Sequence, residues 1–535
     1  MSNRDTNADD AAPVLIAGGG LVGLCAAAFL AQRGVRSVAI ERLTASSPLP
    51  RAAFFHMRTL ELFRSLGIED EVREQSAKDF VPEGAIVAMD RVSGRKLADI
   101  MASLNEGVEA LSPCRRLYLN QPSLEPILRA RALSAGASLI QGTEIIGVQQ
   151  DERGVSVTTQ DLADGKQREM RGQYLIAADG GHSKVRDLLG IPYEGRGAFS
   201  NSLTIYFTAD LSPWIGHNAW SIIYVNNPVL GGFFRMNRTA QAGFLAVNIV
   251  GDPKLDPQAA SNAAADVSEG RLIELVRAGV GVPDLKVRID GFTRWRATAN
   301  VAQRFQERRI FIVGDAAHLM PPNGGFGGNT GIHDAHNLAW KIALVLQGHA
   351  APRLLESYAS ERKPVAEFTV EQAFSRYVTR TAPWLQPSQK PDPVVHDFEI
   401  ELGYLYGSQA GTHADPKKSC GMPGSRAPHL WLTRSGQRVS TLDLTGHFLL
   451  LAGRDGEPWI QASATVAGSG GPPLDAYCIG KDLGDPDARF AEAYGISSLG
   501  ASLVRPDGFI GWRSHGGSPA YADTLRAALA RSLRN

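Results

Sequence analysis

A short apolar strand that runs straight into a glycine turn constrains this chain more than any other feature. Pro13-Val14-Leu15-Ile16-Ala17 reads as a buried strand, and Gly18-Gly19-Gly20-Leu21-Val22-Gly23 follows at once. Gly18, Gly20 and Gly23 fit GxGxxG: one glycine for the turn, one for close backbone approach to a pyrophosphate, one for helix–strand packing. The pattern predicts a helix to Arg33 stopped at Gly34, then a strand Ser37-Val38-Ala39-Ile40 ending in Glu41. A lone GxGxxG is weak evidence, but strand, glycines, helix, strand and acid in register point to a Rossmann-like α/β nucleotide fold. Glu41, where an arginine would suit a ribose phosphate, favours FAD or NAD over NADP as the bound nucleotide. Arg42 either stacks on adenine or stands as a solvated surface charge.

Two further stretches repeat this logic. Ile310-Phe311-Ile312-Val313 is a buried strand that leads into Gly314-Asp315, then Pro321-Pro322 and Gly324, Gly325, Gly327 and Gly328. Prolines fix such a loop, and glycines let its backbone approach a flat, bulky object. Asn329 is placed to cap a helix carrying Leu338, Ile342, Val345 and Leu346, stopped by Gly348, with its positive end toward the bound object. In Leu175-Ile176-Ala177-Ala178-Asp179-Gly180-Gly181-His182-Ser183-Lys184-Val185-Arg186, a strand ends in an acid and glycines before a basic helix start. Asp179 and Arg186 either serve the nucleotides or form a structural pair.

These three motifs, in their order along the chain, resemble class A FAD-dependent aromatic hydroxylases. The length and the tail resemble the aromatic-polyketide branch. The resemblance implies that Asp315 binds the ribityl chain of FAD and that Pro322, Gly325, Gly327, Gly328 and Asn329 line the isoalloxazine. It places Arg51, in Pro50-Arg51-Ala52-Ala53, close to the flavin, with a surface salt bridge as the alternative. It gives Gln121 an FAD contact, the alternative being a helix cap, and assigns Asp179 to FAD and the incoming NADPH. The cofactor is non-covalent FAD, and the co-substrates are NADPH and dioxygen. The implied reaction is hydroxylation of a polycyclic aromatic polyketide of the anthracycline type through a flavin hydroperoxide, in antibiotic biosynthesis. Hydroxylation of simple phenols, an oxygen-independent reductase and a non-enzymatic flavin-binding module are the alternatives.

Fold expectations follow. A discontinuous FAD-binding domain takes residues 1–80, 111–190 and 291–400, after a disordered lead over residues 1 to 12. An inserted β-sheet substrate domain takes 81–110 and 191–290, and a proline-rich linker falls at 383–393. Residues 410–535 resemble a thioredoxin-like domain without CxxC, so the tail is structural or oligomeric rather than redox-active. The inserted sheet must wall the flavin, because the nucleotide strand ends are taken up by FAD. Alternation in Ser221-Ile222-Ile223-Tyr224-Val225 puts Tyr224 on the face of Ile222, where its hydroxyl meets a substrate oxygen, or else it is a core tyrosine. Arg376, on the helix after the flavin loop, stabilises a substrate phenolate or is a surface arginine.

Composition narrows the classes. Lysine plus arginine and aspartate plus glutamate number 55 each, so no nucleic-acid or acidic-membrane partner is indicated. The polar, acidic start is unlike a signal peptide, and the longest apolar run is about half of a ~20-residue membrane span. Cys25, Cys114, Cys420 and Cys478 form no CxxC pair, which suits a reducing, cytoplasmic setting. His333 and His336 flank Asp334 without a third ligand cluster, so no metal is expected. GxSxG, GxxxxGK[ST] and HExxH are absent. The oligomeric state stays open.

Overall fold

Val14–Ala17 forms the centre of a six-stranded sheet, with its parallel neighbours Ser37–Glu41 on one side and Tyr174–Ala177 on the other. Ser138–Gln141 and Ile310–Ile312 extend the sheet in parallel, and Gln306–Glu307 closes one edge antiparallel. Strand order therefore reverses at the central strand, which is where open α/β sheets leave a crevice. The computed structural model describes residues 12–46, 53–251, 256–260, 262–385, 390–407, 412–468 and 470–534; Arg51 and nearly all of the lead fall outside them.

The helix Leu21–Gln32 is rich in alanine and buried almost all round, because it lies between this sheet and the helix Phe326–Leu346. Gly23 is obligatory there: a Cβ would stand 2.0 Å from the carbonyl oxygen of Gly18. Its contribution to the glycine turn is thus packing.

A second sheet has eight strands in the order His318–Leu319, Arg288–Ala302, Tyr193–Thr208, Ala242–Val250, Leu230–Met236, Trp220–Asn226, Ala85–Met89 and Lys96–Met101. Period-two alternation gives it two faces. Phe207, Phe234 and Leu245 turn toward the helix Glu269–Val280, where Phe234 fills the space left by Gly279. The opposite face carries Ile222, Tyr224, Phe233, Arg235 and Phe244.

The tail has the thioredoxin-like order Leu474–Cys478, Phe448–Ala452, Ala501–Val504 and Ile510–Ser514, with the first pair parallel and the others antiparallel. Glu457–Ala467 and Tyr521–Leu533 cover one face together with Trp340, Leu344 and Leu354 from the FAD-binding part, so one core spans both units. Thr441–Leu444 forms a 3-10 turn. A buried ionic network seals the join: Glu361 accepts from Lys341 at 2.7 Å and from Arg505 at 2.7 and 2.9 Å, while Arg505 also holds Asp507. Arg426 reaches Glu61 across the same join. Among the described residues no helix is long and apolar enough to cross a membrane.

Candidate active site

The carboxyl ends of Val14–Ala17, Ser37–Glu41, Tyr174–Ala177 and Ile310–Ile312 open on one cavity of about 520 Å³, and the inner face of the eight-stranded sheet forms its far wall. At the nucleotide end, Gly18, Gly20, Glu41 and Arg42 line the space. The Leu21–Gln32 helix begins at Gly20 with no side-chain cap and no acid in its first turn, leaving its amide N–H groups for an anion. Gly19 donates to Glu41 Oε2 at 2.6 Å and Leu43 to Oε1 at 2.8 Å, so this carboxylate braces the turn while its remaining lone pairs face the cavity.

Gln121 is the first residue of the helix Gln121–Ser134, and Asn120 holds the cap position. The Gln121 amide donates to Glu125 Oε1 at 2.6 Å, and both side chains line the cavity. Asp179 also lines it, accepting from Ser183 Oγ at 2.6 Å and Val185 N–H at 3.0 Å. Burial pushes its pKa up, and these hydrogen bonds only partly oppose that. Arg186 does not pair with Asp179; it donates to Asp187 at 2.8 Å and lies over the Tyr193 ring at 4.0 Å.

Asp315 projects from a 3-10 turn, Gly314–Ala316, and is exposed to the cavity, as are Pro322, Gly325, Gly327 and Gly328. The next helix starts at Gly325, in the left-handed region with φ +68°, again with neither side-chain cap nor acid in the first turn. This corrects the expectation for Asn329. It sits one turn inside the helix, 2% exposed, and does not line the cavity. It donates to the carbonyls of Phe54 and Gly325 at 2.8 and 2.7 Å and accepts from His56 N–H and Thr59 Oγ at 3.0 and 2.6 Å. Asn329 staples the Phe54–Thr59 segment to the glycine loop. Beneath the loop, fully buried His318 meets Asp334 at 2.8 Å, and Asp334 also accepts from Gly314 N–H at 3.1 Å and Arg362 Nε at 2.7 Å.

At the far end, Tyr224 lies on the same face as Ile222, both lining the cavity. Burial raises the Tyr224 pKa, opposed by the charge of Arg380, so the phenol is protonated at neutral pH. Arg376 is neither in the cavity nor on the surface. It is 1% exposed and held by Asp397 at 2.6 Å, Val395 O at 2.7 Å and Gln372 Oε1 at 2.9 Å. Arg380, one turn further along the helix Glu356–Arg380, lines the cavity instead. Sequence reasoning missed it, although both arginines sit on one helix at i, i+4 and so on nearly one face.

The residues fit an FAD: two uncapped helix N-termini, a glycine turn, acids at strand ends and a glycine-paved loop around one crevice. The comparisons with known proteins agree. Residues 11–373 match the family model "FAD binding domain", and residues 420–534 match "Aromatic-ring hydroxylase, C-terminal". A 4-methyl-5-nitrocatechol 5-monooxygenase of Burkholderia sp. is 46% identical over 98% of this chain and 99% of its own length. An aklavinone 12-hydroxylase of Streptomyces purpurascens is 36% identical over 98% and 99%. A solved aklavinone-11 hydroxylase, in complex with FAD and aklavinone, superposes with a TM-score of 0.91 at 34% identity, covering 100% of both chains. The chain belongs to the FAD-dependent aromatic-ring hydroxylases and is an NAD(P)H-dependent flavoprotein monooxygenase.

Proposed function

We propose that this enzyme hydroxylates a small phenolic ring of the catechol type, bound between the glycine-paved loop and the eight-stranded sheet. The observation that carries this reading is the shared cavity: Pro322, Gly325, Gly327 and Gly328 on one side face Ile222, Tyr224, Phe233 and Phe244 on the other. The 46% relative acts, by its name, on a nitrocatechol, which supports a monocyclic substrate. Bound FAD supplies electron acceptance from NAD(P)H and activation of dioxygen.

The chain's own residues do the rest. Tyr224 offers a protonated hydroxyl to a ring oxygen, and Arg380 supplies positive charge at the same place. Together they favour the phenolate, which puts electron density into the ring carbon to be oxygenated. Ile222, Phe233 and Phe244 keep that end apolar and exclude water. Asp179 and the Asp315 carboxylate hold the polar chain of the cofactor at its strand ends.

The second reading is a polycyclic aromatic polyketide of the anthracycline type, in antibiotic biosynthesis. The TM-score of 0.91 to the aklavinone-11 hydroxylase complex favours it. Product mass and oxygen uptake, measured with 4-methyl-5-nitrocatechol and with aklavinone, each with NADPH and NADH, separate the two. Oxygenated product from the nitrocatechol alone supports the catechol reading; product from aklavinone alone overturns it.

A further inference from the structure

Arg235, on the strand Leu230–Met236, lines the cavity wall and is 4% exposed, yet it enters no ion pair among the described residues. Its Nε and Nη2 have no hydrogen-bond partner among those residues. Its guanidinium carbon lies 4.1 Å from the centroid of Phe80 and 4.9 Å from that of Tyr118, so two rings fix its plane by cation–π contact. Tyr118 is itself 2% exposed, also lines the cavity, and its hydroxyl likewise has no partner among the described residues. Asp79 is the carboxylate whose charge Arg235 feels, but it accepts from Gln75 at 2.9 Å and Ser123 at 2.7 Å instead.

A buried cation without a counter-charge is costly to desolvate, and here burial draws the Arg235 pKa down to about 9. Arg196, on the strand Tyr193–Thr208 of the same sheet, is not left so. It uses the same Nε–Nη2 edge to grip both oxygens of Glu371, at 2.8 and 2.7 Å. Arg235 presents that edge with no carboxylate among the described residues to fill it.

We propose that Arg235 and Tyr118 form an anion subsite, which takes a paired-oxygen group carried by the aromatic substrate, either a nitro group conjugated to a phenolate or a carboxylate. The proposal rests on the reading of this cavity as the ring-binding site. The subsite selects substrates by charge; Arg235 supplies it from the eight-stranded sheet and Tyr118 from the short Leu117–Tyr118 strand, on residues other than the Tyr224–Arg380 pair that acts on the ring oxygen.

The test uses the FAD-loaded enzyme, with ligand binding followed by the change in flavin absorbance. The probes are 4-methyl-5-nitrocatechol, 3,4-dihydroxybenzoate and the neutral 4-methylcatechol, against wild type, Arg235→Met and Arg235→Lys. Wild type is expected to favour at least one anionic probe over 4-methylcatechol, and which one identifies the group. Arg235→Met should weaken that anion about 10- to 100-fold, the loss of a charged hydrogen bond, and leave 4-methylcatechol within about twofold. Arg235→Lys, with charge but no fork, should fall between. Equal weakening of all three probes, or none, overturns the subsite. Should Arg235→Met fail to fold, wild-type binding decides: 4-methylcatechol bound as tightly as both anions overturns it too. Anions that bind preferentially but yield no product leave the subsite standing and count against hydroxylation of that ring.

Discussion

Arg376 donates to Asp397 at 2.6 Å, and this bond, with two more to Gln372 and Val395, holds its guanidinium out of the cavity. Asp397 is correspondingly kept ionised: burial would raise its pKa, but the Arg376 charge and hydrogen bond more than offset that. The pair ties the segment before the helix Asp397–Glu401 to the long helix, and leaves Arg380 to face the phenol of Tyr224.

The two arginines should therefore fail differently. Arg380→Ala and Tyr224→Phe are expected to lower the hydroxylated product formed per NAD(P)H oxidised and to raise hydrogen peroxide, with FAD still bound. Arg376→Ala should instead cost about 1–3 kcal/mol of stability, the range for a lost charged hydrogen bond, with the product ratio little changed. Product, peroxide and denaturant midpoints measured on all three variants check this.

Asp315 is exposed to the cavity at the end of its strand, in reach of a polar cofactor chain. Asp315→Ala is expected to weaken FAD by about 1–3 kcal/mol, read as flavin lost on dialysis. Full retention of FAD would count against its assignment to the ribityl chain. Acid precipitation of the wild type should release all the yellow colour, since the cofactor is non-covalent.

Trp340 is 1% exposed, donates to Asp507 at 3.2 Å and meets Phe448 edge-on at 6.1 Å. It belongs to the helix that begins at the glycine loop, yet its ring lies in the core of the tail. Trp340→Ala should cost about 3–5 kcal/mol. Flavin release and loss of tail structure should move together to lower temperature. Separate transitions for flavin fluorescence and far-ultraviolet dichroism would show that the two units unfold independently.

His429 is buried in the tail, with Nδ1 2.8 Å from Ser440 Oγ. Burial first, then the charge of nearby Arg426, hold its pKa down at about 4. The neutral ring is thus favoured in the fold, and its stabilisation is present above the unfolded-state pKa of about 6.5. It is lost as pH falls from there through about 4. Denaturant midpoints between those limits should fall more steeply for wild type than for His429→Gln.

The nucleotide end was legible because its signals are local. Strand, glycine turn, helix and acid occupy one continuous stretch, and Gly23 has a steric requirement that no other residue meets. Tyr224 was legible through strand alternation. Asn329 was misplaced because a helix that starts in a Gly-Gly pair has no capping side chain to announce it, and the nearest asparagine stands in by default. Arg376 and Arg380 share a helix face, so the partners at Gln372, Val395 and Asp397 decide which of them is sequestered. The Glu457–Ala467 helix went unread between two glycine-containing turns. Glu361, Arg505 and Asp507 look like surface charges in the sequence, because burial through mutual pairing leaves no periodic trace. Arg235 was unreadable for the opposite reason, having no charged partner among the described residues.

The helix Phe326–Leu346 enters at the glycine loop and ends in the core of the tail. Its 21 residues make a rod about 31 Å long. Cutting the chain at a boundary near residue 410 would therefore leave Trp340, Lys341 and Glu361 facing a stranger's surface. For anyone building chimaeras among these hydroxylases, the exchangeable cassette is not the tail alone but the tail together with the far end of that helix and the start of the next. A crossover that respects this seam should give folded hybrids that keep their flavin, whereas one placed at the apparent linker should give insoluble ones.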